Sequence, residues 1–135
     1  MRVDRLEILA THLEKLAETP PSDLPREFDL TMWWRGKAGY GTAACAIGEA
    51  TQIPALQEQG LRLGDIVWGS CRHLGPVFED HTDWEAVQEF FDLTEPQAWN
   101  TFSDSAYSQL QYEEARNAEP LDVAARIREI IKATP

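Results

Sequence analysis

No stretch of this chain is apolar for more than a few residues, so no segment is long enough to cross a bilayer as a helix. The first residues, Met1-Arg2-Val3-Asp4-Arg5, are charged and lack the apolar core of a signal peptide. These two absences lead to the expectation of a cytoplasmic protein with no membrane partner. Cysteine is scarce too, with Cys45 and Cys71 the only two. A chain of 135 residues can bury a core without staples, and a reducing cytosol favours two free thiols over a disulfide. Basic side chains number 12 against 23 acids, for a net charge of −11. Direct nucleic-acid binding needs clustered cations and is excluded on that balance.

Familiar catalytic and cofactor signatures are missing as well. There is no GxSxG elbow and no HExxH, and no lysine follows the last glycine of a phosphate loop. No cofactor is implied. Paired-acid catalysis has only the abundance of acids behind it.

What remains describes a folded, mainly α single domain over residues 1–135, with 43% apolar residues and five tryptophans. Leu6, Leu9, Leu13 and Leu16 make the stripe of an amphipathic helix that Ala10 and Ala17 widen and Pro20-Pro21 stops. An apolar knot of Phe28, Leu30, Met32, Trp33 and Trp34 follows without helical or strand period. Thr42 is placed to cap a helix over Ala43–Ala50, whose side chains are small on nearly every face, so that helix is read as central and buried. Pro54 starts a short helix closing at Gly60. Residues 61–79 are the least helical and predict a short two-stranded ribbon. Thr82-Asp83-Trp84-Glu85 and Thr94-Glu95-Pro96-Gln97 both read as capping boxes, and Pro120 opens a last helix carrying Leu121, Ala124, Ile127, Ile130 and Ile131. The expected architecture is a small bundle of four or five helices with that ribbon attached.

The segment Gly41-Thr42-Ala43-Ala44-Cys45-Ala46-Ile47-Gly48, together with Gly60-Leu61-Arg62-Leu63 and Phe90-Phe91-Asp92-Leu93-Thr94, resembles a family of small uncharacterised proteins from bacteria and their phages. The family shares a GTxACAIG-like segment, a GLxL strand and an FFxLT element. The resemblance covers most of the chain and implies the helical architecture but no activity. Members often carry a cysteine before the Gly-Thr. Tyr40 stands there in this chain, so the resemblance carries over no two-cysteine chemistry.

Three functional readings follow from the residues. The acid-only block between Arg72 and Arg116 holds ten of the 23 acids, among them Glu79, Asp80, Asp83, Glu85, Glu89, Asp92 and Glu95. Such a block can present an acidic face to a basic protein partner, and an interaction module of this kind is the first reading. The plain alternative is a solvated surface with acids favoured at helix N-termini. A second reading is a small-ligand or anion site at Trp34, Arg35, Lys37, Gly39, Gly41 and Thr42, where a glycine-rich loop feeds a helix and Trp33-Trp34-Arg35 can stack a flat ligand. Against it, glycines also serve tight connections, and adjacent aromatics usually divide between core and boundary. The third is a metal-dependent enzyme at Cys71, His73 and His81, which lack the second short-spaced ligand pair of structural zinc sites. Two solvated histidines and a free thiol are the plain alternative.

Overall fold

The structure is a computed structural model in which residues 1–36, 42–108 and 118–134 are described. Helix α1, Val3–Glu18, buries Leu6, Leu9, Ala10 and Leu13 completely and ends ahead of Pro20-Pro21, as its stripe requires. Ala17, expected to widen that stripe, is exposed. The buried face of α1 packs against α7, Pro120–Ala133, which contributes Val123, Ala124 and Ile127. Each fully buried leucine or isoleucine stabilises the pair by roughly 1.5–3 kcal/mol.

Between these helices the chain builds two small sheets. In the first, β1 (Glu27–Phe28) runs parallel to β3 (Ala43–Ala44), and β3 pairs antiparallel with β2 (Trp34–Arg35). The Glu27 N–H donates to the Thr42 carbonyl and the Asp29 N–H to the Ala44 carbonyl, both at 2.9 Å. In the second, β4 (Leu61–Trp68) and β5 (Cys71–Phe78) form an eight-residue hairpin from Leu61↔Phe78 to Trp68↔Cys71, and β6 (His81–Thr82) adds to β5. The short helices α2 (Ala46–Ala50) and α3 (Pro54–Gln57) lead into that hairpin. Helices α4 (Asp83–Phe91), α5 (Glu95–Phe102) and α6 (Ser105–Ser108) follow it, with α4 lying on β5.

This is an α+β arrangement, with 52% helix and 20% strand, and it corrects the expected mainly α bundle of four or five helices. Among the described residues there are seven α-helices and two three-stranded sheets. The ribbon over 61–79 forms, but it carries a third strand. The other sheet is built from strands of two residues, too short to show a period in sequence and defined only by pairing across 16 residues of chain.

Two local readings also change. Ala43 and Ala44 are strand, and Cys45, not Thr42, is the N-cap of a shorter α2, its sulfur accepting the Gly48 N–H at 3.4 Å. Residues 43–50 are nonetheless all buried, as their small side chains suggest. The box at Thr82 does not close, since that hydroxyl makes no capping bond and Asp83 has φ +54°. The box at Thr94 does close, through Gln97 N–H to Thr94 Oγ1 at 3.3 Å and Thr94 N–H to Gln97 Oε1 at 2.9 Å.

One apolar cluster joins α1, α2, α4, α5 and α7. Two charged groups enter it. Glu49 is 1% exposed, and both of its oxygens accept from Arg26 Nη1 at 2.8 Å, while His12 Nε2 lies 3.0 Å from Oε1. Arg5 donates to Gln59 Oε1 and to the Phe90 carbonyl, each at 2.7 Å, and its guanidinium stands 4.2 Å above the Phe90 ring. Among the described residues no buried side-chain nitrogen or oxygen lacks a partner.

Candidate functional site

The knot after β1, the first turn of α4 and the second turn of α5 place three tryptophans side by side. Trp33 meets Trp84 edge-on, with centroids 4.9 Å apart and planes at 63°, and Trp84 meets Trp99 at 5.1 Å and 47°. The approach of Trp33 depends on two glycines. A Cβ on Gly48 would lie 2.0 Å from the Trp33 carbonyl oxygen, and one on Gly75 would lie 3.2 Å from the Trp33 ring and 2.8 Å from Asp83 Oδ1. The missing side chains let β5 and α2 close around Trp33.

A cleft of about 270 Å³ opens beside these rings. Its apolar walls include Trp33, Trp34, Trp84, Trp99 and Phe102, and Cys45 sits in its wall. Trp99, one of its lining residues, is 46% exposed. Polar groups are few. His73 lines the cleft from β5, and its Nε2 is held by Asp83, 2.9 Å from Oδ1 and 3.1 Å from Oδ2. Asp104 also lines it, its Oδ1 accepting the Ser105 N–H at 2.8 Å. Asp104 is the only Asp, Glu, Lys or Arg among the described lining residues.

Burial pushes the Cys45 thiol up to about 11, outweighing the backbone N–H groups of Gly48 and Ile47 that favour the thiolate, and the nearby Glu49 charge adds to the rise. That shift favours the neutral thiol over the thiolate.

The sequence-derived candidates scatter around this cleft. Trp34 lines it, with the Arg26 guanidinium 5.2 Å from its ring. Arg35, exposed on β2, donates instead to Glu27 Oε2 at 3.2 Å. Thr42 holds β1 through its carbonyl, and Lys37, Gly39 and Gly41 lie outside the described residues. Cys71, His73 and His81 do not come together. Among the described residues the one group of metal-capable side chains within 4.8 Å of one another is Glu79, Asp80 and His81, on the β5–β6 turn. Cys71 is an exposed free thiol at the hairpin end.

The acidic block divides. Glu79, Asp80 and Glu85 are exposed around His81, whose ring nitrogens lie 3.6 Å from Asp80 and from Glu85. Asp83 turns inward to His73, and the Met1 amine donates to Asp92 at 2.6 Å. Glu89 and Glu95 are exposed on α4 and α5.

Sequence reading singled out Trp34 but missed Trp84, Trp99, Phe102 and Asp104 as cleft residues. Their signal was present only as amphipathic spacing on α4 and α5, which marks a core face without saying which part of it stays open. Compared with known protein families, curated proteins and solved structures, the chain matches none. No described helix is long and apolar enough to cross a membrane.

Proposed function

We propose that this protein is a small-ligand-binding module whose ligand enters the tryptophan-lined cleft. The observation that carries the reading is the set of three contacting indoles with Trp99 left half in solvent beside an open cavity of about 270 Å³. That volume lies just below the range of about 300–1,000 Å³ usual for drug-sized ligands, so a compact molecule is expected. The GTxACAIG-like segment contributes Cys45 to the same wall. The test is a fragment screen read through the indole N–H resonances. Binders should shift the Trp84 and Trp99 signals, and Trp99→Ala should abolish the shift of Trp84 while still unfolding cooperatively, at a lower temperature because the ring packed on Trp84 is gone. Fragments that shift only Trp68, which is 65% exposed on the hairpin, would sink the reading.

A second reading, the acidic surface as a contact for a basic protein partner, is favoured by the exposed Glu79, Asp80 and Glu85 around the β5–β6 turn. None of the three forms an ion pair with Lys or Arg among the described residues. Binding of polylysine should then weaken steeply as salt rises, because the screening length falls from about 30 Å at 0.01 M to about 8 Å at 0.15 M. A triple Glu79→Gln, Asp80→Asn, Glu85→Gln variant should lose most of that binding. Equal binding by parent and variant would remove this reading.

A further inference from the structure

We infer that the ligand of the cleft is a small cation, a quaternary or protonated amine, held against the indole faces with Asp104 as its counter-charge. This rests on the ligand-binding reading above and adds the charge and shape of the ligand.

Charge comes first. No Lys or Arg is among the described residues lining the cleft, and Asp104 supplies a carboxylate whose Oδ2 takes no hydrogen bond from the described residues. Asp83, behind the lining, is already engaged by His73 at 2.9 Å. Arg26, near Trp34, spends its charge on the buried Glu49 at 2.8 Å. Among the described lining residues an anion would therefore meet no Lys or Arg, while the net charge of −11 raises the local concentration of cations.

Shape separates an amine head from a flat aromatic ring. A planar ligand is sandwiched best between parallel walls, but the cleft's neighbouring indoles are tilted by 63° and 47°. These angles offer no parallel pair to a flat ring, whereas a rounded, weakly hydrated cation needs only one indole face and loses nothing by the tilt. The chain uses the same attraction inside itself, with the Arg126 guanidinium 3.8 Å from the centre of the Tyr107 ring. The cavity, about 270 Å³, suits a free amine with a short stem.

The test titrates the intact chain at low salt with choline, with its neutral isostere 3,3-dimethylbutan-1-ol, and with indole, following the five tryptophan N–H resonances. Choline should move the Trp84 and Trp99 signals saturably, and the neutral alcohol should bind at least about tenfold more weakly. Asp104→Asn keeps the Ser105 contact and should weaken choline by about tenfold while leaving the alcohol unchanged. Melting temperatures of the variants report whether they fold. The alcohol or indole binding as tightly as choline would overturn the cation assignment while leaving the cleft as a ligand site. None of the three probes moving the Trp84 or Trp99 signals would overturn both. A trimethyl-lysine peptide binding at least tenfold more tightly than choline would overturn the small-molecule source in favour of a polypeptide side chain.

Discussion

The two cysteines differ in ways a thiol reagent can read. Cys71 is exposed on the hairpin and Cys45 is buried with its proton held on. Ellman's reagent should therefore titrate one thiol in the folded chain and two in denaturant. The Cys45 shift also carries a sign. Its folded value, about 11, lies above the ordinary 9.0, so the unfolded chain releases this proton first. The contribution is whole below pH 9, then falls away as pH rises through 11. Alkaline urea titrations should show a shallower loss of stability in Cys45→Ala than in the parent over that interval. The burial of Cys45 was legible from the small residues around it. Its position at the corner between β3 and α2 was not, because the cap is made by a sulfur where the sequence offers a threonine three residues earlier.

Glu49 gives the second prediction at this scale. It is 1% exposed, whereas the Arg26 and His12 side chains facing it are 15% and 30% exposed. Arg26→Met leaves a buried carboxylate without its main partner and should cost about 3–5 kcal/mol in urea unfolding. Glu49→Gln leaves Arg26 free to reach water and should cost less. The reverse order would mean that Arg26, not Glu49, is the trapped charge.

Among the elements, α2 is the most sensitive to size. A Cβ at Gly48 would fall 2.0 Å from a backbone oxygen and 2.8 Å from Ala44 Cβ, so neither β2 nor β3 can stay in place. Gly48→Ala should destabilise by about 1–3 kcal/mol or more, well beyond the gain in helix propensity of about 1 kcal/mol. Thermal melts of this variant against Ala55→Gly, exposed on α3, would separate packing from propensity. The size pattern of 43–50 foretold tight packing. The neighbour is the Trp33 carbonyl, because β2 and β3 pair there. Long helices α1 and α7 were readable from period, although Ala17 and Leu121, counted in their stripes, stand exposed. The two-residue strands were not, since their existence depends on partners far away in sequence.

At the scale of the whole molecule, the acid block was legible as composition but not as a surface. Folding turns Asp83 inward and sets the Met1 amine on Asp92, so sequence adjacency overstates how many charges act together. The cleft was the reverse case. Its walls come from the knot, from β5, from α4 and from α5, and no local pattern joins Trp33 to Trp99 across that distance. The same three rings have an optical consequence. Transition dipoles at such separations and tilts exchange excitation faster than they emit, so the cluster behaves as one chromophore and should give a split circular-dichroism band that vanishes on unfolding. Trp68, alone on the hairpin in solvent, stands apart as a red-shifted emitter open to acrylamide. The folded protein thus carries two spectroscopic channels, one tuned by the angle between indoles and one blind to it, and anything that pries Trp99 from Trp84 will be seen in the first before it is seen in the second.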